Sequence, residues 1–185
     1  MNFNSHYNLI GQHAFLGASK YHWINYTDEK IAESYMKALA VKKGTEDHEF
    51  ACRCIKRKQH LPDLELTLNM YVNDCINFGM TPEQVLYYSD CCFGTADAIS
   101  FDGSLLSISD LKTGSTKASM SQLLVYVALF CLEYGYDPDD IMAELRIYQN
   151  NTVENHIPSP DLIRGIMHKI VTFDRIITEL KMEVG

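Results

Sequence analysis

The sequence predicts an α/β fold, a sheet flanked by helices, and three observations support this class. Helical spacing of apolar residues dominates the N-terminal part and returns at the C-terminal end. Between them, two strand-like segments flank Asp102-Gly103, a strong hairpin signal. An apolar helix then leads to one more strand-like segment. The predicted order is helices, three antiparallel strands, a helix, a strand and a helix, in a single domain of residues 1–185.

Three helices are predicted before the sheet. Residues 28–40 place Ile31, Tyr35 and Leu39 on one side of a helix. A second helix opens after Gly44, with Thr45 as its cap and acidic residues in its first turn, and carries His48 towards Lys58. A third is expected from Asp63 to Phe78, ending at Gly79.

The remaining elements follow from composition and turn signals. The predicted strands are Val85–Tyr88, Phe93–Phe101, Leu105–Lys112 and Ile141–Gln149. A helix from about Ser119 to Tyr134 separates the last two of them. A final amphipathic helix starts at Pro160. Its expected buried stripe consists of Ile163, Ile166, Met167, Ile170, Phe173, Ile177 and Leu180.

Composition indicates an ordinary globular protein in a reducing compartment. The chain has 46% hydrophobic residues, no basic and apolar leader, and no uncharged apolar run longer than Ala118–Leu132. We therefore expect a cytoplasmic protein without a membrane partner. The six cysteines are expected to be reduced, because the sequence shows no secretory signal pattern. Zinc is not expected, because Cys52-x-Cys54 lacks the spacing and the second ligand pair of a zinc site.

The net charge of −8 argues against a protein that coats DNA without specificity, because such binding depends on neutralising phosphates. The charge is unevenly distributed, however. Residues 61–110 contain eight acidic residues and no Lys or Arg, whereas residues 42–60 contain a basic run. Bound divalent cations would also cancel carboxylate charge. DNA therefore remains an acceptable partner.

The chemistry-bearing pattern is an aspartate on one strand of the hairpin and Asp-x-Lys on the next. Side chains alternate along a strand, so Asp110 and Lys112 project to the same face. The turn at Asp102-Gly103 folds Asp97 back close to Asp110. Two carboxylates can hold Mg²⁺, and an ammonium can orient water or stabilise phosphoryl charge. The same spacing also fits a solvated turn or a simple Asp110–Lys112 salt bridge.

Four segments together resemble the RecB-like branch of the PD-(D/E)xK nuclease superfamily, which includes lambda-type exonucleases and the CRISPR adaptation nucleases. They are GTEDH at 44–48, GTAD at 94–97, DLKTG at 110–114 and QLLVY at 122–126, in the family order. The resemblance implies a restriction-endonuclease-like core, with a central mixed sheet and an antiparallel hairpin flanked by helices.

The resemblance also implies a role for each matching residue. His48, Asp97, Asp110 and the Leu111 carbonyl would be ligands of one or two Mg²⁺ or Mn²⁺ ions, donors that suit these metals. Catalytic roles would fall to Asp97 and Asp110, and to Lys112, which would position the attacking water or stabilise the transition state. Gln122 and Tyr126 would hold the DNA phosphate or the lysine.

The expected activity is metal-dependent hydrolysis of DNA, with an exonuclease favoured over an endonuclease, in phage or mobile-element recombination or DNA processing. The expected partners other than DNA are further copies of the chain, in a ring whose channel would collect the basic residues, or a phage recombination partner. Many relatives carry an iron–sulfur cluster on one early and three late cysteines. No cysteine follows Cys131, so no cluster is expected. No P-loop is present, which argues against ATPase activity.

An alternative comes from another functional class. The acidic net charge and the small size also fit a nuclease fold used only for binding nucleic acid or for inhibition. Such a protein would bind without turnover in any metal. The intact set of His48, Asp97, Asp110 and Lys112 favours the enzyme.

Overall fold

Five strands form one mixed sheet in the order β1-β2-β3-β4-β5. The structure is a computed structural model that describes residues 4–184. The strands are β1 (Thr81–Ser89), β2 (Cys92–Phe101), β3 (Leu105–Leu111), β4 (Met142–Gln149) and β5 (Thr152–His156). Only β3 and β4 are parallel, and all other neighbours are antiparallel. The α/β class and the mixed sheet with flanking helices are confirmed.

Four α-helices accompany the sheet within the described residues. They are α1 (Asp28–Arg57), α2 (Thr67–Asn77), α3 (Ser121–Tyr134) and α4 (Pro160–Val184). The crossover between the parallel strands β3 and β4 contains α3, as a parallel connection requires. None of the described helices is long and apolar enough to cross a membrane.

The chain divides into two compact units, one ending at Lys43 and the other beginning at Gly44. The described residues of the first unit include two short 3₁₀ segments, Tyr7–Leu9 and Ala18–Asn25, and none of them is buried. The rings of Phe15 and Tyr35 meet edge to face at 5.1 Å within this unit. The single domain predicted for residues 1–185 stays a prediction.

The second unit has two apolar cores. One lies beneath α3 and includes Leu106, Ile108 and Leu145. The other involves α2 and the end of α1, and includes Val72 and Leu111. Strand β3 contributes to both cores, so it is buried along almost its whole length. A polar side chain on this strand therefore needs a specific partner.

Three predictions about the helices need correction. The two helices predicted for residues 28–58 are one continuous helix, and Thr45 lies inside it, not at its cap. Thr27 serves at the N-terminus instead, because its hydroxyl accepts the Lys30 amide at 3.2 Å. The helix expected from Asp63 begins only at Thr67, since the preceding segment is tied to Asn69 and Asn73 side chains.

Two further predictions were incomplete. Strand β5 was missed. It pairs with β4 through a tight hairpin turn in which Asn150 and Asn151 both have positive φ. The stripe of α4 is buried only at its start. Ile163 is buried, whereas Phe173 and Leu180 are 59% and 54% exposed. The second half of the helix contacts the end of β1 and the turn after it through polar residues, where Asp174 accepts from Ser89 and Lys181 donates to Cys91.

Candidate metal centre

Four elements, through residues that all lie in the second unit, bring the predicted side chains to one region of the sheet. His48 comes from α1, and Asp97 lies in the middle of β2. Asp110 is near the end of β3, and Lys112 follows that strand directly. Gln122 and Tyr126 lie one turn apart on α3. We take these groups in turn, beginning with Asp97.

Asp97 faces the end of β3 through the hairpin register. Strands β2 and β3 pair Ala98 with Ser109, so Asp97 and Asp110 are the next residues along the two strands. The Leu111 amide donates a hydrogen bond to Asp97 Oδ2 at 3.0 Å. His48 Nδ1 lies 3.4 Å from the same oxygen. Asp97 therefore joins α1 to the end of the hairpin.

Asp110 is a buried carboxylate with only one of its oxygens paired. Its side chain is 2% exposed, and Oδ1 accepts from Lys112 Nζ at 3.0 Å. Oδ2 has no hydrogen-bond partner within the described part of the chain. Burial, followed by the nearby Asp97 charge, raises the pKa of Asp110 to about 6, although Lys112 and His48 oppose this shift.

The Asp110–Lys112 salt bridge suggested by the sequence is therefore present, but within the described residues it leaves Asp110 Oδ2 without a hydrogen-bond partner. A solvated turn is excluded, because Asp110 is almost completely buried. A purely structural ion pair would leave a buried carboxylate oxygen without a partner, which costs free energy. A divalent cation fits this deficit, since carboxylate oxygens and an imidazole nitrogen are donors that Mg²⁺ and Mn²⁺ accept.

Lys112 is held by a short chain of polar contacts from α3. Its ammonium donates to Gln122 Oε1 at 3.0 Å. Gln122 Nε2 donates to the Tyr126 hydroxyl at 2.9 Å, and that hydroxyl donates to the Thr95 carbonyl at 2.6 Å. Burial raises the pKa of Tyr126, so the hydroxyl stays a donor at neutral pH. Gln122 thus contacts Lys112, and Tyr126 contacts β2.

Glycines in two of the sequence motifs permit close approaches at this site. A Cβ on Gly94 would lie 2.9 Å from Cε1 of Tyr126, so the ring can cross β2 only at a glycine. A Cβ on Gly44 would lie 2.7 Å from Thr113 Oγ1. A larger residue at position 44 would therefore require Thr113 to move, which favours a glycine inside α1 despite its poor helix propensity.

One acidic residue of the site was missed by the sequence analysis. Ligand atoms of His48, Glu83 and Asp97 all lie within 4.8 Å of one another. Glu83 is exposed and lines a pocket of about 700 Å³ together with His48, Asp97 and Arg53. The sequence analysis predicted a strand only at Val85–Tyr88, so Glu83 lay outside the predicted strand, whereas β1 begins at Thr81. Only the pairing of β1 with β2 reveals its position.

The structure therefore brings together His48, Asp97, Asp110 and Lys112, with Gln122 and Tyr126 behind the lysine. Leu111 contributes its amide to Asp97, and the metal-binding role of its carbonyl stays a prediction. Comparison with protein-family models, with curated proteins and with solved structures finds no match to this chain. The assignment of a function consequently depends on the geometry and chemistry of these side chains.

Proposed function

We propose that this chain is a Mg²⁺- or Mn²⁺-dependent deoxyribonuclease with a restriction-endonuclease-like core of the RecB-like PD-(D/E)xK type. The observation that carries the proposal is the buried Asp110 carboxylate. It shares one region with Asp97 and His48, is paired with Lys112 and retains an unpartnered oxygen. A buried, incompletely paired carboxylate beside a cation-binding donor set is expected where function, not stability, selects the residue.

His48, Asp97 and Asp110 would hold one or two cations, with the Leu111 carbonyl as a further oxygen donor. A bound cation would act as a Lewis acid on the phosphate and lower the pKa of a bound water. The cation would also neutralise carboxylates that otherwise repel one another and the DNA. The two aspartates lie on adjacent strands of one hairpin, so their separation is set by the rigid sheet.

Lys112 is positioned for charge stabilisation or for orienting water. Two of its contacts, to Asp110 and Gln122, define where the ammonium lies, and a lysine has a third proton to donate. The side chain is 31% exposed, so a phosphate oxygen or a water can reach it. In this proposal Gln122 and Tyr126 position the lysine and do not contact the reacting atoms.

DNA would approach through the pocket beside α1. This pocket is lined by His48, Asp97 and Arg53, and the Arg53 guanidinium is suited to a phosphate. Arg53 lies 3.8 Å from Glu49, a long and exposed ion pair that a phosphate could replace at low cost. The resemblance favours an exonuclease acting in phage or mobile-element recombination or DNA processing.

The decisive test is degradation of linear duplex and single-stranded DNA in Mg²⁺ or Mn²⁺. Asp97→Asn and Asp110→Asn should reduce cleavage to background, and Lys112→Ala should slow it roughly 10²–10³-fold, as expected for loss of one transition-state donor. Asp63→Asn, at an exposed aspartate outside the site, is the matched control and should cleave like the wild type.

Equal cleavage by the wild type and Asp110→Asn would reject the site. DNA binding without turnover in any metal, unchanged by Asp97→Asn and Lys112→Ala, would instead favour a binding or inhibitory module. The net charge of −8 is the observation that supports a binding or inhibitory module as the second candidate function. Calcium should support binding without cleavage, because its flexible coordination organises water poorly.

A further inference from the structure

Glu83 occupies an unusual backbone position inside β1. Its φ is +55°, in the left-handed region that residues other than glycine rarely adopt. The neighbours on both sides pair regularly with β2, since Pro82 faces Ala98 and Gln84 faces Ala96. Glu83 therefore lies beside Asp97, the residue between those two alanines. A strained non-glycine residue within a regular strand suggests that its side chain is needed there.

The donors of the site divide into two sets that share Asp97. The first set consists of Asp97 and Asp110, whose Oδ2 is buried and unpartnered within residues 4–184. The second set consists of His48, Glu83 and Asp97, with donor atoms within 4.8 Å of one another. Asp110 does not belong to this second group among the described residues. The two sets therefore provide two neighbouring positions rather than one crowded position.

We propose that Glu83 is a metal ligand and that, with His48 and Asp97, it forms a second divalent-cation position facing the pocket. The inference rests on the proposed nuclease function and extends it to a residue that lies outside the four sequence motifs. Asp97 would then bridge the two positions. Sites with two metals can stabilise both the attacking and the leaving oxygen of a phosphodiester.

The two proposed cation positions differ in their access to solvent. Asp110 is buried, so the inner position is enclosed by protein. Glu83 is exposed and lines the pocket, so the outer position is accessible to solvent and to a phosphate. We therefore expect the outer cation to bind more weakly than the inner one, because it retains more of its water and has fewer enclosed ligands.

Manganese binding to the full chain, measured by electron paramagnetic resonance and calorimetry at neutral pH, tests the proposal. The wild type should bind about two Mn²⁺ ions per chain. Glu83→Gln should lose the weaker site, with affinity reduced roughly tenfold or more, and should keep the tighter one. Glu49→Gln is the matched control, because Glu49 is an exposed carboxylate in the same pocket but outside the donor group.

Glu83→Gly separates a ligand role from a folding role. Glycine accepts positive φ without strain, so the metal-free variant should melt at or above the wild-type Tm. It should nevertheless lose the weaker Mn²⁺ site. Wild-type binding of two ions by both Glu83 variants would overturn this inference and leave the proposed function intact. Failure of the wild type to bind Mn²⁺ would overturn both.

Discussion

At Asp110, the stability of the fold and the proposed function favour different residues. It lies on β3 in alternation with the buried Leu106 and Ile108, and within residues 4–184 the only hydrogen-bond partner of its carboxylate is the ammonium of Lys112. A neutral residue of similar size would avoid the cost of burying a charge at this position. The carboxylate is consistent with a role that involves a cation, because charge neutralisation would remove the cost of its burial.

Because burying the ionised Asp110 carboxylate costs free energy, Asp110→Asn should be more stable than the wild type at high pH. The folded-state pKa of Asp110 is raised from 3.8 to about 6, so the metal-free fold binds more protons than the unfolded chain between these values. Its stability should therefore fall as pH rises through this window, by about 1–3 kcal/mol, since each pKa unit corresponds to about 1.4 kcal/mol. Asparagine does not ionise, so Asp110→Asn should not lose stability as pH rises through this window.

Thermal unfolding in EDTA at pH 8 and pH 4.5 measures the effect. Asp110→Asn should raise the Tm at pH 8 by roughly 2–10 °C relative to the wild type. At pH 4.5, where the wild-type carboxyl is protonated, the difference should be much smaller. Asp63→Asn should change neither value. A lower Tm for Asp110→Asn at both pH values would contradict the prediction.

At the scale of elements, α3 and β2 fit together through one glycine and one tyrosine. Tyr126 crosses β2 at Gly94, bonds to the Thr95 carbonyl and supports Gln122, which in turn contacts Lys112. The position of the lysine thus depends on helix–strand packing that lies behind it. A substitution at Gly94 should therefore alter the position of Lys112 through Tyr126 and Gln122, without any direct contact.

Gly94→Ala should displace the Tyr126 ring, because the new Cβ would lie 2.9 Å from Cε1. We expect a loss of about 1–3 kcal/mol in the free energy of unfolding, typical of overpacking, together with reduced nuclease activity. Chemical denaturation and DNA cleavage measure the two effects.

Gly165→Ala is the control for this substitution. Gly165 lies inside α4 with nothing within 4 Å of an added Cβ, so alanine should stabilise the protein by about 0.5–1 kcal/mol and leave activity unchanged. Wild-type stability and cleavage in Gly94→Ala would show that the tyrosine ring is not constrained by the glycine.

At the scale of the whole molecule, the net charge of −8 opposes the binding of a polyanion. The acidic residues of 61–110 include Glu83, Asp97 and Asp110, so part of this charge is concentrated in the candidate site. Cations bound there would lower the repulsion where DNA has to approach. DNA affinity should therefore be coupled to divalent-cation binding.

Binding of a short duplex, measured by fluorescence anisotropy, should be at least about tenfold tighter in Ca²⁺ than in EDTA, and should weaken as salt is raised. Asp97→Asn should show a much smaller difference between Ca²⁺ and EDTA, since it removes the shared ligand. Its binding in EDTA should exceed that of the wild type, because one negative charge is gone. Equal wild-type affinity in Ca²⁺ and EDTA would contradict this coupling.

Features governed by local interactions could be predicted from the sequence. The hairpin at Asp102-Gly103 forms because Asp102 Oδ1 accepts the amides of Ser104 and Leu105, and because Gly103 adopts φ of +102°. Side-chain alternation on β3 then brings Lys112 to Asp110. These relationships span only a few residues, so residue order is sufficient to reveal them.

Features governed by long-range packing were missed or misjudged. Gly44 suggested a helix boundary, but α1 continues through it. The stripe of α4 suggested burial along the whole helix, yet Phe173 and Leu180 are exposed. Helical periodicity identifies an apolar face without specifying how much of that face another element covers.

Residue order by itself determined that Asp97 lies near Asp110 and Lys112, because a tight turn and strand alternation bring these three side chains together. Tertiary structure was required to place Glu83 beside Asp97, to pass Tyr126 across Gly94 and to leave one Asp110 oxygen without a partner. Each of these features depends on how separate elements pair and pack. Contacts between residues distant along the chain leave no periodic signal in the sequence.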